Sequence, residues 1–225
     1  MPYKTNTALI IVDVQNDFCP GGRLEVMEGD KIIPTINALK PNFALTVYTQ
    51  DWHPAEHKSF ASAHEEAQEY STIEVDYGEQ VLWPDHCVQE TDGAAFHKDL
   101  EVGDDALILQ KGTNAEVDSY SGFIENDKKT QPLFANGKTL VEVLKEKEIK
   151  NIVFCGLAYD FCVGWHALDA RKEGFETIIV KDACRSISKP LEGESGTSET
   201  AMDAALKEAG VHVVKTGDLQ DSLKN

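Results

Sequence analysis

The chain has 225 residues, of which 41% are hydrophobic and 27% are charged, a composition typical of a globular protein and too apolar for a disordered one. Its formal net charge of −18 would repel phosphate backbones, which argues against nucleic-acid binding. The longest apolar run, residues 152–158, is far shorter than the roughly 20 residues that cross a bilayer, so we expect no membrane association.

The cysteines and the N-terminal residues indicate the compartment. Five cysteines are scattered along the chain without a CxxC pair, which is typical of a reducing environment and not of a disulfide-bonded fold. The first apolar run stops at Asp13, and no signal-peptide cleavage site follows it. We therefore expect a cytoplasmic protein.

Short apolar runs alternate with helical patterns along the chain. The runs predict strands at residues 8–12, 44–49, 106–110, 151–155, 177–181 and 211–215. Helices are predicted at residues 31–39, 139–148, 160–173 and 198–209, the last with Ser198 as its N-cap and Gly210 just past its end. Because most of the strands are apolar on both faces, this alternation predicts an α/β fold with a parallel sheet covered on both sides.

Two long stretches interrupt the alternation, at about residues 51–104 and 112–137. Stretches of this length in a compact domain are usually functional or disordered. The first contains several histidines together with Trp52, Phe60, Trp83 and Phe96, and it is too rich in aromatic residues for an idle linker. We expect a single domain over residues 1–225, with a functional insertion at about 51–104.

Four chemically distinctive residues follow predicted strands. Asp13, Asp51 and Lys111 end the first three strands, and Cys162 comes a few residues after the fourth. Ligands of open parallel sheets bind at the carboxyl ends of the strands, so these side chains are expected to converge. Cys162 also lies near the start of a predicted helix, where backbone amides and the helix dipole favour a thiolate.

The segment that begins at Asp51 predicts a metal site. Asp51 and His53 are two residues apart, and in an extended chain they point the same way. His86 could complete a set of two imidazoles and one carboxylate with open positions for water and substrate. His57 is an additional candidate, either as a ligand or as a supporting group.

Five segments resemble the nicotinamidases of the isochorismatase-like (cysteine hydrolase) superfamily, in the family's order. They are IIVDVQNDFCPGG, TQDWHPAEHKSFA, WPDHCVQETDGAAFH, KGTNAEVDSYSGF and GLAYDFCVGWHALDA. The resemblance implies a three-layer α/β/α sandwich on a six-stranded parallel sheet, in agreement with the strands predicted above.

The resemblance also implies the catalytic groups. Asp13, Lys111 and Cys162 match the family's catalytic triad, and the backbone amides of Ala158 and Cys162 match its oxyanion hole. The Leu157–Ala158 peptide falls where the family has a cis bond that does not involve proline. These assignments imply a cysteine nucleophile that attacks an amide.

The metal ligands and the substrate pocket follow from the same resemblance. Asp51, His53 and His86 match the ligands of one divalent metal ion, with zinc the first choice and iron or manganese as alternatives, and His57 matches a histidine that binds the metal in some members only. A further set matches the residues that line the pyridine pocket: Phe18, Trp83 and Tyr120.

The implied activity is metal-dependent hydrolysis of nicotinamide to nicotinate and ammonia through a thioester on Cys162, which serves NAD salvage. The substrate is then a small molecule, and a homo-oligomer is left open. One alternative is another amidohydrolase of the superfamily, acting on a carbamoyl or ureido substrate; isochorismatase itself would not need Cys162. A redox-sensing or metal-binding module is disfavoured because no resolving cysteine is nearby and because Lys111 and Asp13 would have no role.

Overall fold

A computed structural model describes residues 3, 5–191, 193 and 195–223 of the chain. Its centre is a six-stranded parallel sheet, whose strands are β1 (Thr7–Val12), β2 (Leu45–Asp51), β5 (Leu107–Lys111), β6 (Asn151–Leu157), β7 (Glu176–Arg185) and β8 (His212–Val214). The strands lie in the order β5-β2-β1-β6-β7-β8. All six were predicted from the sequence, each within a few residues of its bounds.

Helices cover the sheet. They are α1 (Ile33–Leu39), α2 (Leu140–Glu146), α3 (Gly164–Lys172), α4 (Ser198–Glu208) and α5 (Leu219–Ser222). Every residue of the central strand β1 is buried, which requires packed layers on both faces of the sheet. The predicted three-layer α/β/α architecture is therefore confirmed. Within the part of the chain described, no helix is long and apolar enough to cross a membrane.

Two details of the helices differ from the sequence-based expectation. The N-cap of α4 is Thr197 and not Ser198, because the Thr197 side chain accepts a hydrogen bond from the backbone of Thr200 in a capping box. Ser198 is the first helical residue. The helix predicted from residue 160 instead starts with a π-helical turn, Tyr159–Val163, which carries Cys162 and continues into α3.

The insertion after β2 contains a small element that the sequence did not predict. Strands β3 (Thr72–Val75) and β4 (Gly78–Val81) form an antiparallel hairpin. Most of its residues are exposed or only partly buried, so it has no apolar run of the kind that predicts the strands of the main sheet. The hairpin leads directly to Trp83 and His86.

A glycine at the carboxyl end of β6 lets the two central strands approach closely. Gly156 has a φ of +119°, and a Cβ added there would lie 2.1 Å from the carbonyl oxygen of Val12. The pairing of β6 with β7 shifts register at this point. Only glycine combines this backbone conformation with this approach, and the chain then passes through the cis peptide Leu157–Ala158 to Cys162.

Candidate active site

The ammonium group of Lys111 is the centre of the site. Its Nζ lies 3.0 Å from Oδ2 of Asp13 and 3.4 Å from Sγ of Cys162, and it also donates a hydrogen bond to Oδ1 of Asp51. The backbone carbonyl of Ser119 accepts a further hydrogen bond from Nζ at 2.9 Å. The structure thus brings together the three residues of the predicted triad, which are separated by up to 149 positions in the chain (162 − 13).

The side chain of Lys111 is completely buried, as is that of Asp13. Burial lowers the pKa of Lys111, but the carboxylates of Asp13 and Asp51 raise it well above its ordinary value, so the lysine stays charged. Both carboxylates have the same ammonium beside them, so each buried charge has a partner of opposite sign and the three groups together carry one net negative charge. A buried charge of this kind is tolerated only when it is paired in this way.

Asp13 has the properties of an acid–base group. Burial raises its pKa to about 6, although Lys111 opposes the shift. One carboxylate oxygen accepts a hydrogen bond of 2.7 Å from the hydroxyl of Thr49, which fixes its orientation. A carboxyl group with a pKa near neutrality can both accept and return a proton at physiological pH.

Cys162 is a buried free cysteine. Burial raises its pKa well above the ordinary value, and the positive charge of Lys111 only partly offsets this. Desolvation of the thiol therefore opposes the stabilisation of a thiolate that is predicted for the start of the helix. A carboxylate oxygen of Asp13 and the sulfur lie within 4.8 Å of each other, so Asp13 is placed to take the proton when the sulfur attacks.

Asp51, His53 and His86 form a group whose ligand atoms all lie within 4.8 Å of one another. Oδ2 of Asp51 lies 3.7 Å from Nε2 of His53 and 3.9 Å from Nε2 of His86. All three side chains are buried. Burial raises the pKa of Asp51, but Lys111 and His53 hold it well below its ordinary value, so the carboxylate is ionised.

The chemistry of the two imidazoles fits a metal ion. Nδ1 of His53 donates to the carbonyl of Gly112 at 2.9 Å, and Nδ1 of His86 donates to the carbonyl of Pro84 at 2.7 Å. With Nδ1 as the donor, Nε2 is the nitrogen of each ring that faces Asp51 and that a metal ion would bind. A carboxylate and two imidazole nitrogens are suitable ligands for a divalent transition metal, so these residues fit a metal site.

His57 lies beside this group. Its ring centre is 4.3 Å from that of His53. Its Nδ1 accepts a hydrogen bond from the backbone of Ser59 at 3.2 Å, and its Nε2 lies 3.3 Å from the carbonyl of Val117. His57 and Asp118 form a second group with His53, again with ligand atoms within 4.8 Å. In this arrangement His57 contacts a ligand residue while its own nitrogens are bonded elsewhere.

A small cavity adjoins both the triad and the metal-ligand group. Its lining includes Phe18, Trp83 and Tyr120, which were the predicted pocket residues, together with Ala158 and Cys162. The indole Nε1 of Trp83 donates to the hydroxyl of Tyr120 at 3.2 Å, which fixes the two rings relative to each other. The cavity is therefore an aromatic pocket with the thiol of Cys162 in its wall.

The sequence-based prediction missed several residues of this wall. Phe161 packs edge-on against Trp83, with 4.9 Å between ring centres, and it lines the cavity next to Cys162. Ile187 follows the carboxyl end of β7, so the rule that predicted Asp13 and Lys111 could also have pointed to it. Leu24 and Asp118 lie in loops and gave no such signal.

Comparison with known proteins agrees with this geometry. Residues 7–218 match the isochorismatase domain family. The chain belongs to that family.

Within the family, the chain is similar to nicotinamidases. It is 47% identical over 187 residues to the nicotinamidase of Acinetobacter baylyi, an alignment that covers 83% of this chain and 85% of the relative. The structure of PnC1 from L. infantum in complex with nicotinate is similar with a TM-score of 0.76 and 33% identity, covering 96% of each chain. The pyrazinamidase of Pyrococcus horikoshii in complex with zinc has a TM-score of 0.72 and 36% identity, covering 93% of this chain and 99% of that one. The predicted resemblance to nicotinamidases, and with it the prediction of an amidohydrolase, is confirmed.

Proposed function

We propose that this chain hydrolyses nicotinamide to nicotinate and ammonia through a thioester on Cys162. The observation that carries the proposal is the position of Lys111, whose Nζ lies 3.4 Å from the thiol of Cys162 and 3.0 Å from the carboxylate of Asp13. This arrangement adjoins a small cavity whose aromatic side chains can pack against a planar ring. A nucleophile, a base and a fixed positive charge are the groups that amide cleavage requires.

The first half of the reaction uses Asp13 as base and then as acid. Asp13 takes the proton of Cys162 as the sulfur forms a bond to the carboxamide carbon. The charge that develops on the oxygen is stabilised by the backbone amides of Ala158 and Cys162, each such donor being worth roughly 3–4 kcal/mol. Asp13 then gives its proton to the amide nitrogen as the carbon–nitrogen bond breaks, which releases ammonia and leaves a thioester.

The second half consumes one water molecule. Asp13, ionised again, takes a proton from the water as its oxygen attacks the thioester carbon. The carbon–sulfur bond breaks, and the proton returns from Asp13 to Cys162. The product leaves as nicotinic acid, which keeps the second proton of the water and loses it to solvent to give nicotinate. Lys111 stays charged throughout the reaction and holds the side chains of Asp13 and Cys162 in position relative to each other.

Asp51, His53 and His86 are the proposed ligands of one divalent metal ion, which we infer to be zinc, with iron and manganese as chemical alternatives. His57 acts beside them, through its contact with His53. When bound, the ion would supply a Lewis acid beside the cavity, toward which the pyridine nitrogen of the substrate would be oriented. Phe18 and Trp83, on the cavity wall, hold the ring between them.

We further propose that residues 1–225 act as one hydrolase domain, with the ligand-bearing insertion at about 51–104. The chain works in the cytoplasm on a small molecule, without nucleic acid or membrane as a partner, and its product enters NAD salvage. The five free cysteines, all buried, support a reducing compartment. A homo-oligomer is compatible with this proposal, but the reaction does not require one, because all of the site residues come from one chain.

The test is release of nicotinate and ammonia from nicotinamide by the purified protein, with N-carbamoyl compounds assayed in parallel. We expect equimolar nicotinate and ammonia, and we expect Cys162→Ala to lower kcat by at least about a thousandfold while it keeps its fold and its metal. Cys155→Ala, at another buried cysteine, is the matched control. Turnover of carbamoyl compounds in place of nicotinamide would overturn the substrate, and near-normal activity of Cys162→Ala would overturn the thioester.

A further inference from the structure

His166 is a buried histidine that the mechanism above does not use. It lies on α3, four residues after Cys162, and it is completely inaccessible to solvent. Its ring packs against Phe154 and Phe123, with 6.0 Å and 6.3 Å between ring centres. Packing alone would be served equally well by an apolar residue, so the polar atoms of His166 need a separate explanation.

Both ring nitrogens of His166 have a backbone partner. The amide N–H of Gly122 donates to Nε2 at 2.8 Å, and Nδ1 lies 2.7 Å from the carbonyl oxygen of Cys162. Because Nε2 accepts, it carries no proton, and Nδ1 must therefore be the donor to Cys162. A single neutral tautomer satisfies both contacts.

The two partners belong to the two segments that build the catalytic centre. Cys162 carries the nucleophile. Gly122 lies in the loop in which the Ser119 carbonyl accepts a hydrogen bond of 2.9 Å from Nζ of Lys111, and in which Tyr120 lines the cavity. The ring of His166 is thus a direct bridge between the nucleophile segment and the segment that holds the lysine.

The fit at Gly122 is close. A Cβ added to this glycine would lie 3.0 Å from Nε2 of His166 and 2.8 Å from a methyl group of Leu109. A larger residue would push the amide away from the ring. The short distance between the amide of Gly122 and the ring of His166 therefore depends on a glycine at one position and on a histidine at the other.

We propose that His166 is a positioning residue that fixes the distance between the sulfur of Cys162 and the ammonium of Lys111. The inference rests on the proposed function, since it concerns the same nucleophile. His166 touches neither substrate nor the reacting atoms, and it acts through the backbone at both ends of the bridge. Burial and the nearby charge of Lys111 lower its pKa to about 3, so the ring stays neutral and keeps this tautomer at physiological pH.

Three substitutions separate the two contacts. In His166→Asn the side-chain amide replaces the donor near the Nδ1 position and loses the acceptor. In His166→Gln the amide oxygen replaces the acceptor near the Nε2 position and loses the donor. His166→Phe removes both contacts and keeps a ring in the core. His212→Phe, at an exposed histidine of β8, is the matched control.

Two readouts are used: kcat and KM for nicotinamide, and the second-order rate of alkylation of Cys162 by iodoacetamide. We expect His166→Phe to lower kcat and the alkylation rate by about tenfold or more, with KM and metal content near the wild type, since a small displacement of reacting groups has effects of that size. The Asn and Gln variants should lie between wild type and Phe. If His166 served the fold alone, its substitution would lower the melting temperature and would leave the alkylation rate of the folded protein unchanged.

The proposal is overturned if the folded variants keep kcat and the alkylation rate within twofold of the wild type. If His166→Phe does not fold, the Asn and Gln variants decide by the same criterion. Failure of the wild type to hydrolyse nicotinamide would refute the proposed function, whereas the alkylation rates would still test the bridge, because they require no substrate.

Discussion

Lys111 donates a hydrogen bond to the carboxylate of Asp51, and this carboxylate is also a member of the proposed metal-ligand group. The proposed catalytic triad and the proposed metal site are therefore parts of one charged cluster. Within it, Asp51 faces an ammonium through one oxygen and the imidazoles of His53 and His86 through the other. A change in either half is expected to affect the other.

The first prediction concerns the metal ligands. Substitution of His53 or His86 by alanine should remove the bound metal and abolish activity or raise KM strongly, because one of three protein ligands is lost. Elemental analysis of the purified variants measures the metal, and His212→Ala serves as the control at an exposed histidine. Full metal content in both variants would remove these residues from the ligand set.

A companion measurement addresses His57. Because its nitrogens face Ser59 and Val117, the structure predicts that His57→Ala keeps more metal than His53→Ala does. Equal loss of metal in the two variants would make His57 a direct ligand. Loading each variant with zinc, iron or manganese and measuring activity would also identify the ion that supports turnover.

The second prediction is that Lys111→Met destabilises the folded protein. The substitution leaves the carboxylates of Asp13 and Asp51 buried without their cation, and the loss of one partner of a buried ion pair costs about 3–5 kcal/mol. Urea denaturation of the metal-bound proteins measures this. Lys138→Met, which removes a half-exposed partner of Glu146, should change stability by no more than about 1 kcal/mol. A Lys111→Met variant as stable as the control would show that the buried carboxylates are compensated by other groups.

The third prediction is a pH dependence. Asp13 must be ionised to take the proton from Cys162, and its pKa is raised to about 6 by burial. The value of kcat/KM should therefore fall as the pH decreases through about 6, with a limiting slope of one decade per pH unit. Metal content has to be measured at each pH, because protonation of His53 and His86 would also lower activity. A profile that stays flat to pH 4.5 at full metal content would exclude Asp13 as the base.

The same shift has a defined consequence for stability. The folded-state pKa of Asp13 lies above its ordinary value of 3.8, so the folded protein binds this proton more tightly than the unfolded chain does. The contribution of this group to stability is present below pH 3.8 and is lost as the pH rises through about 6. Above about pH 6 the ionised carboxylate of Asp13 therefore lowers the stability of the folded protein, and its ion pair with Lys111 partly offsets this loss.

The sequence predicted the sheet and the central cluster well, for a physical reason. Buried parallel strands are continuous apolar runs, and their carboxyl ends meet at one edge, which predicts that Asp13, Asp51 and Lys111 lie together. The hairpin of β3 and β4 was missed because it is largely exposed and lacks such a run. Apolar runs in the sequence therefore predict strands that are buried along their whole length, and they do not predict a hairpin that is largely exposed.

Long-range pairing explains the remaining omissions. The bridge from His166 to Gly122 joins positions 44 residues apart, and no spacing rule connects them. A histidine in a helix next to apolar residues looks like any other core residue until its partners are known. The choice of Thr197 and not Ser198 as the N-cap of α4 likewise depends on a reciprocal bond with Thr200.

The last prediction concerns Asp160, which fastens the loop after β7 to the nucleophile turn. Oδ1 of this buried carboxylate accepts a hydrogen bond from the backbone N–H of Ile187 at 2.9 Å, and Oδ2 accepts one from the backbone N–H of Ser188 at 2.8 Å. Oδ2 also accepts a hydrogen bond from the hydroxyl of Ser198, at the start of α4. Ile187 lines the cavity, and Asp160 is two residues before Cys162, so the carboxylate connects the pocket wall to the nucleophile.

Asp160→Asn turns an amide group toward one of these donors and should loosen the loop. We expect the free energy of unfolding to fall by about 1–3 kcal/mol, the cost of leaving a buried polar group unsatisfied, and KM for nicotinamide to rise more than kcat falls, because Ile187 belongs to the pocket and not to the triad. Ser198→Ala removes one donor only and should produce a smaller change in the same direction. Steady-state kinetics and urea denaturation of both variants measure the two effects. If KM stays unchanged in Asp160→Asn while stability falls, the loop is held by other contacts and the carboxylate serves the fold alone.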